Sequence, residues 1–196
     1  MRFKPVYLFI LSATVSTFSA SASAESLADK IKKRSGEIAE VKALLNDPDQ
    51  NTRAAAIDVM LKSDDTAMRE IAYSTGFNSA DDSIRAIALR NKLNETDSFT
   101  MYFTLPEDAS AGLKKQYEYF GGSLTLLFKE YSEQTGKFKA ASSKSDNYIK
   151  PGNVSGLTFT FNTRYCGATL SLNEESELEG IVTCQKDKFH TKAAII

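Results

Sequence analysis

The spacing of apolar positions divides the chain near residue 97 into two parts. In residues 25–97, apolar side chains such as Ile38, Val41 and Leu45 recur every three or four positions, which gives a helix one buried stripe. From residue 98 onward, apolar and polar residues alternate in a chain rich in threonine, phenylalanine, tyrosine and glycine, as half-buried strands require. The pattern predicts an α+β protein with a helical region at 25–97 and an antiparallel β domain at 98–196.

The helical region matches itself when it is shifted by thirty-two positions. Seven of eight matched pairs are identical, and Ile57 with Leu89 is a conservative change. The identical pairs are Asn46 with Asn78, Asp49 with Asp81, Arg53 with Arg85, Ala54 with Ala86, Ala56 with Ala88, Leu61 with Leu93, and Asp65 with Asp97. A period of this size is typical of stacked units of two short helices.

Two segments of this repeat resemble the HEAT-like family of helical repeats. In that family an aspartate-bearing turn leads into a helix that starts with an arginine and small residues, as in DQNTRAAA at 49–56 and DDSIRAIA at 81–88. The resemblance covers about residues 37–97 and implies a scaffold for protein contacts. Because two hairpins are fewer than a stable solenoid usually needs, we expect one end of the pair to pack on the β domain.

Arg53 and Arg85 are candidate partner-binding residues, since they repeat on equivalent helices and would form a row along a groove. The alternative is that each pairs with the aspartate four residues before it, or with the neighbouring repeat. A spacing of four places both side chains on one helix face, which favours the pairing. The acidic pairs Asp64-Asp65 and Asp81-Asp82 could suggest a metal site, but they lie just before helices, so we expect them to act as caps.

The register of three β strands follows from their apolar positions. Leu172 is set against Leu178, Cys166 against Cys184, and Phe159 against Leu170. Both hairpins then place their apolar residues on the same face, which predicts a sheet with one buried side, either a β-sandwich or an open barrel. A helix is predicted at 107–119, a strand at 122–131, and a polar surface loop at 140–152.

The first twenty-four residues predict export. Arg2 and Lys4 precede an apolar run that closes on Ala22-Ser23-Ala24, the order of a secretory signal with its cleavage site. Residues 1–24 are therefore predicted to be a signal peptide and the protein to be periplasmic or secreted. The apolar run is too short to span a bilayer, and no later stretch is longer, so we expect no transmembrane anchor.

Charge argues against nucleic acid as a partner. Loss of Arg2 and Lys4 changes the formal net charge from −1 to about −3, a balance that produces no long-range field to gather nucleic acid or acidic lipid.

The two cysteines are predicted to form a disulfide. Cys166 and Cys184 face each other in the derived register, and an exported protein is expected to hold such a pair oxidised. With His190 as its single histidine, the chain lacks the ligand set of a closed zinc site, and no nucleophile or phosphate-binding motif occurs. We therefore expect no catalytic residue, cofactor or metal, although an acid pair assembled by folding remains open.

Tyr148 and Tyr165 are the remaining candidates for partner binding, because both fall in predicted loops. Their alternative role is packing within the domain. The sequence as a whole predicts an exported non-catalytic protein that binds another envelope or secreted protein, in one version as an inhibitor or immunity-type protein. A hydrolase of envelope polymer and a glycan-binding module are the alternatives.

Overall fold

The computed structural model describes residues 25–195, and the predicted signal peptide lies outside them. The chain divides into two compact units, 1–36 and 37–196. In the first unit, residues 27–36 are helical. No helix in the described residues is long and apolar enough to cross a membrane.

Within the described residues, four helices precede the β domain, as the periodicity predicted. They are α1 (Leu27–Leu45), α2 (Gln50–Leu61), α3 (Thr66–Phe77) and α4 (Asp82–Asn94). Of the two acidic pairs predicted as caps, one residue of each is confirmed: the side chain of Asp65 accepts from the N–H groups of Ala67 and Met68, and that of Asp81 from the N–H of Ser83. The buried faces of α2, α3 and α4 pack together around Ile57, Phe77 and Leu89. The resemblance to HEAT-like repeats itself stays a prediction.

The β domain is an antiparallel barrel of eight strands with one inserted helix. The strands are β1 (Ser98–Thr104), β2 (Ser123–Tyr131), β3 (Lys137–Ser142), β4 (Ser145–Ser155), β5 (Thr158–Asn162), β6 (Cys166–Leu172), β7 (Glu177–Cys184) and β8 (Asp187–Ala194). Each strand pairs with its neighbours in chain order, and β8 pairs back to β1. Helix α5 (Ala111–Phe120) lies between β1 and β2, and its last turn ends at Gly121 in the left-handed conformation.

The α+β class is confirmed. The predicted architecture of the β domain, a sandwich or an open barrel, is wrong, because the barrel is closed. Closure occurs where Phe103 pairs with Thr191, and the buried Thr191 hydroxyl donates to the Tyr102 carbonyl at 2.7 Å. The predicted surface loop at 140–152 is also wrong, because it forms most of the β3–β4 hairpin. This hairpin is exposed along much of β4, so it lacks the apolar alternation that marks a strand.

The predicted register of β5, β6 and β7 is confirmed. Phe159 lies opposite Leu170, and Leu172 lies opposite Leu178. The inward-facing side chains include stacked aromatic rings: the centroids of Phe103 and Phe189 are 4.6 Å apart, and those of Phe138 and Phe159 are 5.1 Å apart. Phe120 packs its edge against Phe103, so α5 covers the barrel beside the end of β1.

The disulfide is also confirmed, since Cys166 and Cys184 are paired residues of β6 and β7 and are bonded to each other. Both side chains are buried. The bond therefore links two strands inside the barrel wall.

Replacing both cysteines, as Cys166→Ala with Cys184→Ala, is expected to lower the free energy of unfolding by about 3 kcal/mol, because the unfolded chain regains the entropy of an open loop. Urea unfolding followed by circular dichroism measures the difference. Wild-type protein treated with a reductant is the matched control and should match the variant. Unchanged stability in both would contradict a structural role.

Candidate functional site

Arg53 is engaged within the helical region. Its guanidinium donates to the Asp81 carboxylate at 3.3 Å and to the backbone carbonyls of Asp47 at 2.8 Å and Pro48 at 3.0 Å. Asp81 caps α4, so Arg53 on α2 links one repeat to the next. This is the alternative in which the arginine pairs with the neighbouring repeat, and Asp49 serves as the cap of α2 instead.

Arg85 occupies the equivalent place on α4, but the chain has no further repeat to receive it. Its guanidinium donates instead to the backbone carbonyls of Leu172 and Asn173 in the turn between β6 and β7. The residue is 8% exposed, and its contact with Asp82 is long, at 3.5 Å. The β domain thus takes the position of the next repeat, and both guanidinium groups are engaged by contacts within the protein. A role of the two arginines in partner binding stays a prediction.

Tyr148 and Tyr165, by contrast, both lie near Arg164: Tyr148 is exposed, whereas Tyr165 is partly buried and packs against the core. The guanidinium carbon of Arg164 lies 5.9 Å from the ring centre of Tyr148 and 5.3 Å from that of Tyr165. The Lys150 ammonium lies 4.8 Å from the ring centre of Tyr148. These distances are within the range of cation–π attraction. We call these four residues, Tyr148, Lys150, Arg164 and Tyr165, the tyrosine–cation cluster.

Two adjacent parts of the chain position this cluster. Strand β4 carries Tyr148 and Lys150, whereas Arg164 and Tyr165 form the turn between β5 and β6. The Thr163 hydroxyl accepts from the Cys166 N–H at 3.0 Å, and the Gln185 N–H donates to the Tyr165 carbonyl at 2.7 Å. Cys166 directly follows Tyr165 in the chain, and Cys184 directly precedes Gln185. The disulfide between the two cysteines therefore restrains the end of the turn.

Three members of the cluster, Tyr148, Lys150 and Arg164, line a depression of about 470 Å³ that carries positive charge. Pro151, Asn162 and Thr163 complete its lining, and no acidic residue is among the described residues that line it. Neither Lys150 nor Arg164 forms an ion pair with any residue in the part of the chain that the structure describes. Sequence reasoning missed both cations, although they stand one and two positions from the tyrosines that it selected.

A larger groove of about 740 Å³ lies beside the cluster, and Pro151 lines both. Tyr131 and Phe138 give the groove an apolar floor, and its polar residues include Glu130 and Lys139, which form an ion pair at 2.8 Å. The Tyr131 hydroxyl is buried without a hydrogen-bond partner among the described residues, and burial raises its pKa. Gly152 leaves room for the Phe138 ring, which would lie 2.2 Å from an added Cβ.

The groove and the cluster contain few groups for acid–base or metal chemistry. Glu130 is the one carboxylate among the described residues that line the groove. Within residues 25–195, no three His, Cys, Asp or Glu side chains come together as metal ligands. His190 lies on β8, exposed, between Thr104 and Ile181.

Comparisons of the chain with protein-family models, with curated proteins and with solved structures give no match. The arrangement of side chains is therefore the basis for assigning a function.

Removal of Arg85 is expected to destabilise the protein more than removal of Arg53. Arg85→Ala removes a buried guanidinium that donates to the Leu172 and Asn173 carbonyls, of which the Asn173 carbonyl also accepts from the Ser176 N–H. The variant should lower the free energy of unfolding by about 3 kcal/mol, against about 1 kcal/mol for the less buried Arg53. Urea unfolding of Arg85→Ala and Arg53→Ala in parallel measures both losses. Equal losses would contradict the placement of Arg85 under the barrel turn.

Acid is expected to weaken the link between the repeats. Burial alone would raise the pKa of Asp81, but hydrogen bonds from the Ser83 N–H and from the side chains of Gln50 and Arg53 outweigh it and lower the pKa. The carboxylate therefore stabilises the fold at neutral pH, and this contribution is lost as the pH falls below about 4 and through the lowered pKa.

Asp81→Asn keeps a capping side chain without the charge, so the unfolding free energy of this variant should depend less on pH between about pH 5 and pH 2. Asp64→Asn, at an exposed aspartate before α3, is the control and should follow the wild type. Parallel pH profiles for Asp81→Asn and the wild type would refute the proposed role.

Proposed function

We propose that the protein is an exported, non-catalytic binding protein whose binding face is the surface of β3, β4 and the β5–β6 turn. The observation that carries the proposal is the tyrosine–cation cluster beside an apolar-floored groove. Tyrosine and arginine are the residue types enriched where protein partners bind, and an apolar depression next to them offers a place for a partner's side chain. The partner is another protein of the envelope or the extracellular space.

The contacts of the two helical arginines support a binding face on the barrel. Arg53 and Arg85 are occupied by contacts within the protein, whereas Lys150 and Arg164 lack such ion pairs within residues 25–195. Around the groove, the single carboxylate Glu130 is paired with Lys139. A glycosidase-type mechanism needs two carboxyl groups placed across a bond, so this groove favours binding over polymer hydrolysis.

Export is part of the proposal and has two supports. One is the signal sequence predicted at residues 1–24. The other is the disulfide between Cys166 and Cys184, since such bonds persist in oxidising compartments such as the periplasm and the extracellular space. An inhibitor or immunity-type protein that neutralises a secreted hydrolase is one concrete form of this function.

Two isoleucines on the barrel offer a matched test. Ile149 lies in β4 between Tyr148 and Lys150 and is 48% exposed, while Ile181 lies in β7 and is 43% exposed. A photo-crosslinking amino acid at position 149 is expected to capture a discrete protein from an envelope extract of the source organism, and the same amino acid at position 181 is not. Mass spectrometry identifies the product, and binding of the purified product to the unmodified protein is then measured.

Equal capture at both positions would show that the contact is nonspecific. Capture at position 181 alone would place the binding face on β7, and capture at neither position would overturn the proposed function.

A further inference from the structure

We propose that Lys150 and Arg164 bind carboxylate groups of an extended acidic segment of the partner. The inference rests on the proposed function and specifies the chemistry of the partner. It makes the tyrosine–cation cluster an anion-binding site, with the depression beside Tyr148 as the place that receives the carboxylate.

The first support is uncompensated charge in a concave surface. The lining of the depression contains two cations and no acid, and neither cation has an ion-pair partner within residues 25–195. Other lysines of the barrel, such as Lys129, Lys144 and Lys186, also lack an ion pair within residues 25–195, so the feature that distinguishes Lys150 and Arg164 is that both line one depression. A carboxylate placed between Lys150 and Arg164 would be attracted by both, and the planar guanidinium matches its two oxygens.

The second support is that the two cations are held in place before a ligand arrives. Arg164 lies near two tyrosine rings and Lys150 near one, so the rings restrict both long side chains. Backbone hydrogen bonds and the disulfide fix the turn that carries Arg164. Because less side-chain freedom is lost on binding, a preordered pair of cations binds an anion more tightly than two mobile ones.

A peptide fits this place better than a sugar. Stacking of a sugar needs a free ring face, and the Tyr148 ring already has two cations beside it. In addition, Lys150 and Pro151 pair with β3, whereas the pairing of β4 with β5 begins only at Gly152. This part of β4 therefore has an edge without a strand partner, where an extended segment can lie.

The test uses the full mature chain and fluorescein-labelled polyglutamate as the probe, with affinity measured by fluorescence anisotropy at low salt. Lys150→Gln combined with Arg164→Gln is expected to weaken binding by about tenfold or more, the loss expected for charge-assisted hydrogen bonds. Binding to the wild type should also weaken as salt is added, because surface charges are screened. Thermal melting checks that the variant is folded.

The matched control is Lys32→Gln with Lys33→Gln, which removes the same charge from exposed positions on α1 and should leave binding within about twofold of the wild type. Equal weakening in both double variants would overturn the proposal, because it would show an effect of net charge. Failure of polyglutamate to bind the wild type would also overturn it. If labelled polygalacturonate binds and polyglutamate does not, the peptide proposal is overturned and the ligand of the site is an acidic glycan.

The cross-link at position 149 separates this inference from the proposed function. If the Lys150→Gln, Arg164→Gln variant still captures the partner as the wild type does, the carboxylate site is refuted and the binding face stands. If the wild type captures no partner, the proposed function fails, whereas polyglutamate binding is still measured independently. Loss of capture in this variant, with capture kept in the Lys32→Gln, Lys33→Gln control, supports both.

Discussion

A pair of helical hairpins leaves one side of its last helix uncovered, and the fold of this protein depends on how that side is covered. Arg53 shows the ordinary solution, in which the arginine of one repeat reaches the capping aspartate of the next. Arg85 has no next repeat, so its guanidinium donates to the carbonyls of a barrel turn. The turn at Leu172 and Asn173 thus completes the helical stack, and the stack and the barrel form one structural unit.

Local patterns were sufficient to predict much of the fold. Helices α1 to α4 follow from apolar spacing and from aspartates placed where caps belong. The pairing of Cys166 with Cys184 follows from leucines alone, because a strand pair with one buried face has one acceptable register. The helix before β2 was predicted within a few residues of its observed bounds.

Closure of the barrel and the binding face were beyond such reasoning, because both depend on contacts between distant segments. The pairing of β1 with β8 joins residues such as Phe103 and Thr191 that no local pattern relates. Strand β4 is exposed and polar, so its sequence resembles a loop. Tyr148 and Tyr165 were selected individually, but only the fold shows that Arg164 lies between them.

The turn between β2 and β3 connects the helices to the groove. Glu133 pairs at 2.8 Å with Lys62, which caps the carboxyl end of α2, and the Glu133 carbonyl accepts from Arg90 of α4 at 3.4 Å. Its neighbours Ser132 and Thr135 line the groove. The helical region therefore supports one wall of the groove through this turn. A change in the spacing of α2 and α4 would alter the width of the groove, although neither helix lines it.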